Sequence, residues 1–127
     1  MKRVTGIGGL FFKTDDPKAT KEWYKTHLGF NTDDWGCTFW WKNEKGEKCS
    51  TQWSPFEKKT SYFEPSKKDF MFNYRVENLE NLLVALKKEG VTITGEMQEF
   101  NYGKFACILN NEGNKIELWE PIDSAFE

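Results

Sequence analysis

Few side chains in this sequence can do covalent or metal chemistry, and their spacing excludes most of it. The single histidine, His27, falls in a stretch of helical periodicity with no Ser or Cys placed for it to activate, so Ser/His/Asp and Cys/His arrangements are absent. Three cysteines, Cys37, Cys49 and Cys107, form an odd set without a Cys-x-x-Cys pair. Zinc knuckles and disulfide frameworks need paired spacing, so all three read as reduced core or strand residues. Gly6-x-Gly8-Gly9 leads into a strand rather than opening a helix, which disqualifies it as a phosphate loop. Glu112 falls in a turn. Chemistry must come from acids, amides and aromatics brought together by the fold.

Composition narrows the partners. The chain has 127 residues, 17% aromatic and 30% charged, with 18 basic against 20 acidic side chains and no block of one sign. So many aromatics with so little net charge exclude disorder. The absence of a basic field disfavours nucleic acid and anionic membranes. The longest apolar run, Leu10-Phe11-Phe12, is too short for a membrane span, and Met1–Gly6 has no apolar stretch behind its charges. The expectation is one cytoplasmic domain over 1–127.

The elements follow from periodicity and punctuation. Residues 4–13 read as a glycine-broken strand. Asp16-Pro17 starts a helix through Leu28, with Ala19, Trp23, Tyr24 and Leu28 inward and Gly29 as its stop. Residues 38–41 and 49–55 form a hairpin about Glu44–Glu47. Segment 56–69 is polar and reads as a long exposed connection, with Phe56, Tyr62 and Phe63 at the rim of any site. The pattern then restarts. Residues 70–76 alternate as a strand, and Asn78 caps a helix striped by Leu79, Leu82, Leu83 and Leu86 that ends at Gly90. Residues 91–96, 104–109 and 115–119 are three more strands, the last two joined by Asn110–Gly113. Trp53-x-Pro55 recurs 66 positions later as Trp119-x-Pro121. An internal repeat of this size implies two βαβββ modules, about 4–55 and about 70–121, each too small to bury its sheet alone.

Asp16-Pro17, Trp23-Tyr24-x-x-x-Leu28-Gly29-Phe30 and Glu112-Gly113-Asn114-Lys115-Ile116-Glu117-Leu118 together resemble the glyoxalase/bleomycin-resistance/extradiol-dioxygenase superfamily, also called the vicinal oxygen chelate fold. The resemblance covers about residues 4–121. It implies an α+β fold in which two βαβββ modules form a cupped mixed sheet with helices on the outer face. It further implies that up to four His, Glu or Gln side chains hold a metal in the cup. Carried over by spacing, those positions are Gly9, Thr51, Met71 and Glu117, and Glu117 alone is a competent ligand where a catalytic metal needs about three.

Strand alternation adds Phe11, Cys49, Trp53, Asn73, Arg75, Lys115 and Trp119 to that face. The expected ligand-binding set is therefore Thr51, Trp53, Met71, Asn73, Arg75, Glu117 and Trp119, with Arg75 paired to Glu117 or to an anionic ligand. Trp53 and Trp119 can line an open cup or fill a closed one. The leading expectation is a small-molecule-binding protein without a complete metal site or other cofactor, enclosing a small aromatic or anionic ligand, and forming a homodimer. The alternative is a metal-dependent lyase, isomerase or dioxygenase using Glu117 as ligand or as base. A third is a regulatory protein with an occluded cup.

Overall fold

A computed structural model describes residues 2–127. The first strand, β1 (Val4–Thr14), is followed by Asp16, whose Oδ1 accepts from the Ala19 amide at 3.1 Å, and Pro17 opens α1 (Pro17–Leu28). Gly29 closes α1 at φ +71°, a conformation costly to any residue with a Cβ. The hairpin β2 (Cys37–Lys42) and β3 (Lys48–Glu57) completes the first module. The second contains β4 (Phe70–Val76), α2 (Leu79–Lys88), β5 (Ile93–Phe100), β6 (Gly103–Leu109) and β7 (Lys115–Pro121). A 3-10 turn, Asp123–Phe126, follows β7.

The seven strands form one mixed sheet in the order β2-β3-β1-β4-β7-β6-β5. At its centre β1 and β4 pair antiparallel, with Leu10 opposite Phe72. Within each module the first strand pairs parallel with the last, β1 with β3 and β4 with β7. The expected α+β repeat is present, with both helices on one face. The first module has one strand fewer than expected: between α1 and β2 there is only the bridge Thr32–Cys37. Asp33 accounts for this, because its side chain accepts from the Trp35 and Gly36 amides at 2.8 and 2.9 Å and folds that segment into a turn.

The two helices pack differently. Leu79 and Leu82 of α2 are buried against Val76, Ala106 and Leu118. In α1 no residue is fully buried, and Trp23 and Leu28, expected inward, are exposed. Thr20, bonded to Thr14 at 2.6 Å, and Tyr24, whose ring lies 4.6 Å from that of Trp53, face the sheet instead. His27 stays on the exposed side, its ring 4.9 Å from that of Trp23.

The opposite, cup face has its own cluster of Phe11, Phe63 and Met71 with Phe56 beside it. Phe63 corrects the reading of 56–69 as an exposed connection: it is 0% exposed, so the segment folds back across the cup and anchors there. Among the described residues no helix is long and apolar enough to cross a membrane.

Candidate functional site

The centre of the cup is a buried carboxyl group. Parallel pairing sets Glu117 of β7 beside Asn73 of β4, and antiparallel pairing sets it beside Cys107 of β6. Glu117 is 3% exposed. Asn73 Nδ2 donates to its Oε1 at 2.6 Å, and the Tyr62 hydroxyl donates to its Oε2. Both partners are neutral, and burial pushes the Glu117 carboxyl up to about 8. Near neutral pH it is therefore an acid that can donate a hydrogen bond. Close packing fixes Asn73: a Cβ on Gly8 would lie 2.0 Å from Asn73 Oδ1, an oxygen with no hydrogen-bond partner.

A cavity of about 180 Å³ opens beside this carboxyl. Glu117, Cys107 and Lys115 line one side, Thr94, Gly95, Glu96 and Gln98 the other, and Tyr62 reaches over it. The space exists because the β5–β6 ladder breaks between Thr94 and Gln98, where Gly95 takes φ +71°. The Thr94 hydroxyl is buried there without a partner. Lys115 Nζ donates to the Tyr62 carbonyl at 2.6 Å and lies 4.8 Å from the Tyr62 ring centroid, which holds the crossing segment over the cavity. Burial pushes the Cys107 thiol up, with Lys115 opposing, so the sulfur stays protonated.

A divalent metal does not fit the donors at the four positions that the sequence resemblance implies. The helix caps Asp16 and Asn78 stand 62 positions apart, so Asn73 corresponds to Phe11. The β3 partner of Phe11 is Ser54, as the β7 partner of Asn73 is Glu117. Ser54 therefore replaces Thr51 as the counterpart of Glu117, a correction of register. Gly9 has no side chain, and Met71 is buried against Phe11 and Phe63. Glu117 has both oxygens engaged. Among the described residues no group of three or more His, Cys, Asp or Glu side chains is placed to hold a metal ion.

The same register shift turns both expected β3 residues, Thr51 and Trp53, out of the cup. Ser50 and Gln52 turn into the cup, with Gln52 Nε2 donating to Ser50 Oγ at 3.3 Å. Thr51 between them points away, its hydroxyl bonded to the Ile7 carbonyl at 2.6 Å and to the Trp41 indole at 2.8 Å. Trp53 lies under α1 against Tyr24, Phe30 and Phe12 and takes no part in the cup.

Arg75 and Trp119 do lie on the cup face, but Arg75 does not pair with Glu117. It donates to both oxygens of Asp123 at 2.7 Å and to the Ser50 carbonyl at 3.0 Å. Trp119 is covered by Phe105, Phe126 and Arg75. Burial pushes the Asp123 carboxyl up, but hydrogen bonds from Arg75 and Ser50 outweigh it and hold the group below its ordinary value. Asp123 is not among the residues expected from the sequence, although the parity of 117, 119 and 121 continues straight to it.

No family model matches the sequence, and no curated protein sequence does. Solved structures do match. Methylmalonyl-CoA epimerase from Streptomyces coelicolor, as a variant in complex with 2-nitronate-propionyl-CoA, superposes with a TM-score of 0.71 at 12% identity over 93% of this chain and 98% of that one. Methylmalonyl-CoA epimerase from Mycobacterium tuberculosis gives 0.64 at 21% identity, covering 99% of this chain and 94% of that one. A Mn(II)-bound glyoxalase from Novosphingobium aromaticivorans gives 0.64 at 13% identity over 94% of this chain and 40% of that one. The fold is that of the vicinal oxygen chelate superfamily.

Proposed function

We propose that this chain uses the vicinal oxygen chelate fold as a metal-independent, cytoplasmic small-molecule-binding protein, with its ligand in the cavity beside Glu117. One observation carries the reading. The carboxyl at the fold's metal position is held by Asn73 and Tyr62 instead of by companion ligands, and it opens onto about 180 Å³ of space. That volume holds about six waters at liquid density, so the ligand is small. Its chemistry follows from the lining. Arg75, the expected anion contact, is paired with Asp123 and lines a different cavity, and Lys115, which does line this one, is bonded to the Tyr62 carbonyl. Protonated Glu117 and the unpartnered Thr94 hydroxyl suit an uncharged molecule with an oxygen acceptor, and Phe105 suits an apolar edge.

The structural neighbours include an epimerase and a glyoxalase, which keeps a second reading open on a specific observation. A carboxyl at about 8 beside a cavity can also act as a general acid or base. Native mass spectrometry of freshly purified protein, followed by titration with Ni(II) and Zn(II), tests the first reading. A retained small molecule with no stoichiometric metal is the expected result. Stoichiometric metal binding with chelator-sensitive turnover overturns it, and metal-free turnover with an inflection near pH 8 favours the second.

We propose further that two copies associate. Leu10 and Phe72, at the centre of the sheet on the helix-bearing face, are exposed, and β2 and β5 leave open edges. Sedimentation should give twice the mass of one 14.9 kDa chain, and a single-chain mass at micromolar concentration overturns the association.

A further inference from the structure

The Arg75 end of the sheet holds a finished anion cradle whose occupant is the chain's own Asp123 side chain. Asp123 Oδ1 accepts from the Ser50 amide at 3.0 Å, the Ser50 hydroxyl at 2.7 Å and Arg75 Nη1 at 2.7 Å. Its Oδ2 accepts from Arg75 Nη2 at 2.7 Å. The guanidinium is flanked by the rings of Trp41 and Trp119, 5.5 and 5.4 Å from their centroids. Such planar, two-pronged recognition is what arginine does best for a carboxylate.

The receptor half and the occupant half differ in how firmly they are built. Ser50 and Arg75 are buried on strands. The carboxylate arrives on a single turn in which Ser124, Ala125 and Glu127 are exposed. Besides Asp123, that turn is held by Phe126 against Trp119 and Tyr102, by the Ile122 amide donating to the Tyr102 carbonyl at 3.1 Å where the turn begins, and by a surface Lys48–Glu127 pair at 3.0 Å, a kind of contact worth little. A cavity of about 360 Å³ lies directly beside the ion pair, lined by both of its members with Trp41, Lys48, Glu77 and Glu120. Glu120 is engaged, its Oε1 accepting from the Leu79 amide at 2.9 Å. The remaining acids on the rim, Glu47 and Glu77, repel polyanions more than single charges.

We propose that Ser50 and Arg75 form a binding site for a small monocarboxylate, filled in cis by Asp123, and that the ligand enters from the adjoining cavity as the Asp123–Phe126 turn lifts. The inference stands apart from the Glu117 cavity and its ligand. A tethered carboxylate competes at an effective concentration in the millimolar range, so the parent chain resists a free carboxylate far more than a chain lacking Asp123 does.

The test is the Asp123→Ala variant titrated with sodium acetate and with sodium phosphate against sodium chloride at matched ionic strength. Tryptophan emission from Trp41 and Trp119 and the melting temperature are the readouts. The expected result is a saturable emission change with acetate and a melting temperature that climbs back toward the parent's. The parent should need at least tenfold more acetate, and phosphate should bind more weakly. An Asp123→Ala response equal to that of an Arg75→Leu/Asp123→Leu double variant overturns the proposal, as does equal acetate sensitivity in variant and parent. Phosphate binding tighter than acetate overturns the monocarboxylate assignment. If Asp123→Ala fails to fold, Asp123→Asn keeps the shape of the turn, and the same titrations of that variant support or overturn the proposal on the same outcomes.

Discussion

Two carboxyl groups on the same face of the sheet meet opposite fates. Asp123 is 17% exposed at its side chain and stays ionised, because Arg75 and Ser50 donate to it. Glu117 is 3% exposed, meets only the neutral Asn73 and Tyr62, and is pushed up to about 8. Burial acts on both in the same direction, and what separates them is a cation within reach. The fold thus carries one site whose charge is already answered and one that is kept neutral, six residues apart along the chain.

The largest expected effect comes from breaking the answered site. Arg75→Leu leaves Asp123 partly buried with only Ser50 to hold it, and removing one member of a buried pair costs about 3–5 kcal/mol. The partial exposure of Asp123 places this loss toward the low end of that range. Urea denaturation at pH 7 measures it. The Arg75→Leu/Asp123→Leu double variant should recover most of the loss, since no charge is then left behind. A single variant as stable as the parent would mean that Asp123 reaches water in solution and that the contrast between the two carboxyls is false.

The same contrast marks how far the residues can be read from the sequence. The second module is legible almost throughout. Its helix has a clean leucine stripe under Asn78, and Asn73, Arg75, Glu117 and Trp119 all turn to the expected face. The first module is not. The Trp-x-Pro echo implies one strand parity for β3, whereas the sheet obeys the pairing of Phe11 with Ser54. Thr51 and Trp53 therefore fall on the other side from the one expected. Helix α1 misleads for a different reason: it carries more large apolar residues than its shallow contact with the sheet can cover, so Trp23 and Leu28 stay in water. The partner of Arg75 lies beyond the last strand: the parity of 117, 119 and 121 leads to it, but Pro121 ends the strand pattern before it.

The next effect sharpens the neutral site. Glu117 holds its proton in the folded state up to about pH 8, whereas the unfolded chain releases it near 4.3. Between those values the native state binds the extra proton, so stability present below pH 4 falls as pH rises, by at most about 1.4 kcal/mol per pH unit, and levels off above 8. Asp123 runs the other way. Its stabilisation is present above the unfolded Asp value and is lost as pH falls through its lowered folded value. Glu117→Gln should flatten the alkaline limb of a stability–pH curve and leave the acid limb intact. Its gain at pH 8.5 should be smaller than the Arg75→Leu loss, because relaxation and water entry relieve part of a buried charge. An unchanged alkaline limb would show that Glu117 ionises normally.

The smallest effect separates the lid's anchor from its polar contact. Tyr62→Phe removes the hydroxyl that donates to Glu117 but leaves Phe63 in the cluster with Phe11 and Met71, and leaves Lys115 Nζ on the Tyr62 main-chain carbonyl. With Glu117 protonated, the lost hydrogen bond should cost about 1 kcal/mol at pH 6. Once the carboxyl ionises, the same hydroxyl donates to a charge, a bond worth about 1.5–3 kcal/mol, so the cost should grow above pH 8. Removing a donor that favours the charged form must also move the Glu117 inflection to higher pH. A pH-independent cost would show that Tyr62 only packs over the cavity. A cost that shrinks with rising pH would mean that the Tyr62 hydroxyl accepts a hydrogen bond from protonated Glu117 and donates none, and would reverse the polarity of the whole site.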